Sequence, residues 1–203
     1  MTRSITRENE SRQKAKYIIG DIAAAMLSWV VYYLFKIFVL EISPFSFGTK
    51  FFVSLSLYTA GWSFLHYLSG YYNSTFIKSR LNELVTTFAT TLLGCLVLFF
   101  ITVSNDEIEY NEINISITVL FLLQFSLTYI IRLCQTQRIA HMIHDREIGF
   151  NTLIIGTGRH ARQTAQMLNN LPLSSGYYII GFISYGDDKA EGLQAPVITL
   201  DKD

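Results

Sequence analysis

The chain has 203 residues, half of them hydrophobic and only 16% charged, against roughly a quarter for an ordinary soluble domain. Its formal net charge is zero, and the charges are segregated by segment rather than pooled on one basic face, which argues against a nucleic-acid partner. Two cysteines far apart in sequence, Cys95 and Cys134, form neither a disulfide framework nor a metal cluster and read as packing residues.

In chain order, a basic N-terminal segment (Arg3, Arg7, Arg12, Lys14, Lys16) precedes four apolar stretches at 17–40, 51–69, 84–103 and 113–131. The third carries no charge over twenty residues. A bilayer core about 30 Å thick takes roughly 20 helical residues, and backbone in lipid must bond within its own segment, so these stretches predict membrane-spanning helices. Lys and Arg set the orientation. Lys78 and Arg80 lie between the second and third stretches, and Arg132, Arg138 and Arg146 follow the fourth. The other two loops are poor in positive charge, with only Lys50 at the edge of one and Asp106, Glu107, Glu109 and Glu112 in the other. The pattern predicts cytoplasmic N- and C-termini, with domains at 1–131 (four spans), 132–150 (a connector helix stopping at Gly149) and 151–203.

Asp21 and Lys36 are the ionisable residues within a span, each about one turn inside its end. Lys36 is placed to snorkel outward. Asp21 has the depth of an interfacial anchor or helix-pairing residue, with Arg80 or Arg132 as partner, and a substrate contact is the alternative. His66 and Gln124 read as polar contacts between helices. His141 and His144 share a helix face, but no further ligand completes a metal set.

After Gly149 comes a short β-branched run, 152–155, and then Gly156-Thr-Gly158-Arg-His-Ala161, opening a helix with Ala161, Ala165 and Leu168 on one face. Second and third strands are predicted at 177–183 and 196–200. The order strand, G-x-G-x-x-A, helix, strand predicts a Rossmann-like βαβ unit. Gly156 makes the turn, Gly158 lets a phosphate approach, and the small Ala161 lets helix and strand pack. These three are the candidate cofactor-binding residues. The acid that would hold a ribose is missing from the end of the second strand, where Ser184-Tyr185 stand and Asp187 and Asp188 follow in a turn. The expectation is therefore a Rossmann-shaped scaffold without a bound nucleotide. Roughly fifty residues follow Gly149, too few for a doubly wound sheet. An incomplete unit with an open sheet edge, a site for self-association, is expected. The fold class is thus a four-helix transmembrane bundle followed by a truncated α/β unit.

The chain resembles the N-terminal part of the polyprenyl glycosylphosphotransferases. The resemblance rests on Tyr17-Ile-Ile-Gly-Asp21, on Gly70-Tyr-Tyr72 leaving the second span, and on Arg80 and Glu83 entering the third. Leu153-Ile-Ile-Gly-Thr-Gly158 followed by Gly176-Tyr-Tyr-Ile-Ile-Gly-Phe182 completes it. It implies a multi-pass protein of the bacterial cytoplasmic membrane. Its partners would be the lipid bilayer, undecaprenyl phosphate and polysaccharide-assembly proteins. The family's reaction moves a sugar phosphate from a nucleotide sugar to undecaprenyl phosphate. Its catalytic domain would begin after Asp203, so the resemblance implies an anchoring region with no catalytic residue and no cofactor of its own. Two other readings stay open: the N-terminal region of a membrane-bound nucleotide-sugar dehydratase, and a non-enzymatic four-helix scaffold or regulator.

Overall fold

A computed structural model describes residues 3–4, 7–39, 48–73, 76, 79–103, 110–185 and 196–200. Its elements in chain order are β1 (Arg3–Ser4), α1 (Arg7–Phe38), α2 (Thr49–Leu68), a 3-10 turn (Tyr71–Asn73), α3 (Arg80–Val103), α4 (Tyr110–His144), β2 (Ile148–Ile155), α5 (Arg159–Asn169), β3 (Tyr177–Tyr185) and β4 (Val197–Leu200). The chain divides into two compact units, Glu10–Thr136 and Met1–Asn9 with Gln137–Asp203.

The first unit is helical. Among the described residues, three helices are long and apolar enough to cross a membrane: Asn9–Phe38, Arg80–Val103 and Ile113–His144. The stretch predicted at 51–69 forms α2, twenty residues long, but does not reach the same hydropathy. Its inward face explains the shortfall, because Tyr58, Trp62 and His66 are buried there. Phe52, Leu57, Phe64 and Leu68 are exposed on its outside.

This unit is built inside out. On α3, Glu83, Thr87, Thr90, Thr91, Gly94 and Cys95 are buried, a stripe of polar and small residues at helical spacing. Leu81, Val85, Phe88, Leu93, Phe100 and Ile101 face outward. Two threonine hydroxyls of the stripe return to their own helix, Thr91 Oγ1 donating to the Thr87 carbonyl at 2.7 Å and Thr90 Oγ1 to the Thr86 carbonyl at 2.8 Å. The α4 stripe steps through Leu120, Gln124, Thr128, Arg132 and Thr136, and the α1 stripe through Tyr17, Asp21, Ala24, Ala25, Ser28 and Tyr32. An apolar cluster of Ala25, Tyr32, Tyr58, Trp62, Cys95 and Leu120 takes a residue from every helix. Trp62 lies so close to Gly94 that a Cβ there would overlap the indole ring. Cys95 packs as expected, but Cys134 does not: it sits on the exposed side of α4.

The second unit is a small parallel sheet in the order β1-β2-β3-β4, three strands with a two-residue edge. β2 pairs parallel with β3 from Phe150↔Tyr177 to Ile155↔Ile183, with a register shift after Thr152. β3 pairs parallel with β4 from Phe182↔Val197 to Tyr185↔Leu200. The edge strand β1 was not anticipated from sequence; its Arg3 and Ser4 pair with Ile148 and Gly149.

The connector ends differently from expectation. α4 stops at His144, and Gly149 lies within β2 rather than terminating the helix. Arg146 takes the left-handed conformation with φ 59°. Its N–H donates to the Ile143 carbonyl at 3.1 Å, and the Glu147 N–H donates to the Met142 carbonyl at 2.9 Å. This pair of bonds is a Schellman ending with arginine in the position glycine usually fills. Gly149 serves packing instead, since a Cβ there would run into the Tyr178 ring.

Candidate functional site: a buried ion network and a glycine turn

The helical unit holds its polar groups in one buried network. Asp21 sits one turn after Tyr17 on the inner stripe of α1, and Arg132 two turns after Gln124 on that of α4. The guanidinium grips the carboxylate as a fork: Nε donates to Asp21 Oδ1 at 2.8 Å and Nη2 to Oδ2 at 2.7 Å. Its remaining edge donates from Nη1 to Thr87 Oγ1 at 3.0 Å, and its carbon lies 3.6 Å from the centre of the Tyr71 ring. Tyr72 donates its hydroxyl to Asp21 Oδ2 at 2.7 Å.

A second carboxylate closes the network. Glu83 Oε1 accepts from the Tyr71 hydroxyl at 2.8 Å and from Thr136 Oγ1. The Tyr17 hydroxyl bonds Thr136 Oγ1 at 2.9 Å. Burial pushes the Tyr71 and Tyr72 hydroxyls up from the ordinary phenol range, and the neighbouring carboxylates Glu83 and Asp21 push the same way, so both remain donors. Deeper along the same stripes, Tyr58 donates to Gln124 Oε1 at 2.9 Å and Gln124 Nε2 to Thr128 Oγ1 at 3.0 Å.

Burial without a partner is expensive for a charge, while a bidentate guanidinium–carboxylate pair with its other valences bonded tolerates low dielectric. That is the physical reason for this crowd of hydroxyls. It leaves few valences open: Glu83 Oε2 and both ring nitrogens of His66 are buried without a hydrogen-bond partner. Among the described residues no group of three His, Cys, Asp or Glu side chains could hold a metal ion. The arrangement ties four chain segments together and offers no reacting group to solvent.

Of the two partners expected for Asp21, Arg132 is the one found; Arg80 is exposed. Asp21 therefore pairs α1 with α4. Gln124 links helices as expected, whereas His66 stacks near Trp62 with ring centroids 6.0 Å apart. Tyr71 and Tyr72 read from sequence as interfacial-belt or bundle-packing residues, and here both donate to buried carboxylates. Glu83 and Thr87 join them, and the polar and small residues at 83, 87, 90/91 and 94/95 are the helical spacing that marks this face.

The glycine turn lies in the sheet unit. β2 runs into Gly156, whose N–H donates to the Ile183 carbonyl at 2.7 Å and whose φ of 103° suits glycine. Gly158 caps α5 in an extended conformation (φ −68°), with no side-chain cap and open space where a Cβ would stand. Ala161, Ala165 and Leu168 are the half-buried stripe of α5, as their spacing predicts. The turn thus requires glycine at 156 but not at 158. β3 extends to Tyr185 with Ser184 buried, so its described end carries no acid; Asp187 and Asp188 lie outside the described residues. His141 and His144 are both exposed on α4.

The chain matches no family model, no curated protein and no solved structure.

Proposed function

We propose that the chain is the membrane-anchoring region of a sugar-phosphate transferase that starts polysaccharide synthesis on undecaprenyl phosphate, with four spans, both termini cytoplasmic and a Rossmann-like unit after the last span. The observation that supports it most is convergence. Asp21, the Tyr71-Tyr72 pair and Glu83 come from three separate pieces of the resemblance, and all three meet in one network around Arg132. A chance likeness of short motifs carries no such requirement. The strand–glycine-turn–helix–strand order of the parallel unit agrees with the same reading.

In this role the chain is not catalytic by itself. Phosphoglycosyl transfer needs groups that grip a diphosphate and activate a nucleophile. Asp21 and Arg132 are buried and committed to each other, and Glu83 is buried against the Tyr71 and Thr136 hydroxyls. Purified 1–203, reconstituted with undecaprenyl phosphate and a panel of UDP-sugars, should release no UMP above a protein-free control. Reporter fusions after Asn73 and Asp203 should read cytoplasmic, and one after Asp106 periplasmic. UMP release that scales with protein would overturn the anchoring role. Reading the gene beyond the codon for Asp203 separates the alternatives: a second complete Rossmann domain would make this a dehydratase region, and a stop codon a scaffold.

A further inference from the structure

The opposite end of the helical unit from the Arg132 network holds a cavity of about 800 Å³, formed where α1 and α3 end and α2 and α4 begin. Its size falls in the range of small-molecule sites. Two cations line it: Lys36 in the last turn of α1 and Lys50 in the first turn of α2. None of its described lining residues is acidic. Lys36 Nζ stands 6.0 Å from the centre of the Tyr32 ring, another wall of the cavity.

The start of α2 adds to the positive field. Its cap residue Gly48 supplies no side-chain bond and its first turn carries no acid, so the helix end is not neutralised locally. Lys50 stands at this positive end, where a cation is unfavourable unless an anion joins it. Trp29, a further wall, has its indole N–H buried without an acceptor. Thr49, Ser54 and Thr102 add hydroxyls to the wall, and Phe51, Leu98, Ile117 and Leu120 give it an apolar side.

A pair of ammonium groups over an apolar wall matches an amphiphile with an anionic head. We infer that this cavity binds the phosphate headgroup of an anionic lipid between Lys36 and Lys50, with the upper part of its tail against Leu98 and Ile117. Free phosphate would use the lysines and leave the apolar walls wet; a lipid uses both. This goes beyond the anchoring role and does not depend on it.

Native mass spectrometry of the full chain, delipidated and titrated with phosphatidylglycerol or phosphatidylcholine, tests the site. Phosphatidylglycerol should be retained in preference to phosphatidylcholine. The double variant Lys36→Gln/Lys50→Gln should lower that retention by roughly tenfold or more, as expected for two cations lost at membrane depth, with the thermal midpoint unchanged. Lys16→Gln/Arg80→Gln, which removes two exposed cations elsewhere, should leave retention near that of the unmodified chain. Equal retention of both lipids, an undiminished double variant, or an equal loss in the control pair would overturn the site. Inorganic phosphate that displaces the lipid at comparable concentration would overturn the assignment to a lipid. If the double variant does not purify as a single species, tryptophan quenching by brominated lipids in the unmodified chain reads the same site. Phosphatidylglycerol should quench more strongly than phosphatidylcholine, and Trp29→Phe should remove the difference; equal quenching overturns the proposal.

Discussion

The helical unit and the sheet unit differ in how much they bury. In the helical unit the completely buried side chains include Arg132, His66, Gln124, Glu83 and Asp21, while Phe38, Leu57 and Leu81 are about 70% exposed. In the sheet unit Phe182 and Ile148 are the buried apolar strand residues, Ile155 is 80% exposed, α5 buries none of its residues, and glycine at 149 makes room for an aromatic ring. The helical pattern is the one expected in apolar surroundings, where hydrophobic contact does not distinguish inside from outside and specificity passes to hydrogen bonds and small-residue contacts.

The contrast breaks most readily at the ion pair. Asp21→Ala or Arg132→Leu alone strands a buried charge, which costs about 3–5 kcal/mol. The double variant should lose clearly less than the sum of the two. Arg80→Gln should cost under about 0.5 kcal/mol, as for exposed positions generally. Unfolding in detergent followed by circular dichroism gives all four values, and additive losses would show that the pair does not couple.

In the sheet unit the corresponding weak point is steric. Gly149→Val places two methyl groups against Tyr178 and should destabilise that unit by about 1–3 kcal/mol, the usual range for overpacking. Limited proteolysis should show faster cleavage beyond α4 with the helical unit still protected. Equal loss of protection in both units would mean that they do not unfold separately.

A last pair of substitutions in the glycine turn sharpens its reading. Gly156→Ala forces alanine to a positive φ and should cost about 1–3 kcal/mol. Gly158→Ala, extended and with open space around it, should stay within about 0.5 kcal/mol of the unmodified chain. A large loss at 158 would show a packing role that the geometry does not contain.

Much of this was legible from residue order. Each apolar stretch falls on a helix, and three of those helices among the described residues are long and apolar enough to cross a membrane, as expected where backbone has to bond within its own segment. The short β-branched run at 152–155, the glycines at 156 and 158, and Ala161, Ala165 and Leu168 at helical spacing marked a strand, a turn and a helix. The Schellman ending at Arg146 was not legible, since arginine carries no signal for a left-handed backbone, and Gly149 beyond it drew the boundary too late. The edge strand at Arg3–Ser4 was equally silent, being two residues paired across the length of the chain.

The sequence alone therefore determined which segments are helical and apolar, where the charges concentrate and where the glycine turn falls, all properties set by neighbours a few residues apart. Only the tertiary structure decided which polar residues meet. Asp21 and Arg132 are 111 residues apart and Asp21 and Tyr72 are 51 apart. No local rule selects Arg132 over Arg80. The choice is made by helix rotation, which turns Arg132 onto the inner stripe of α4, where an unpaired charge would be prohibitive, and leaves Arg80 at the exposed start of α3.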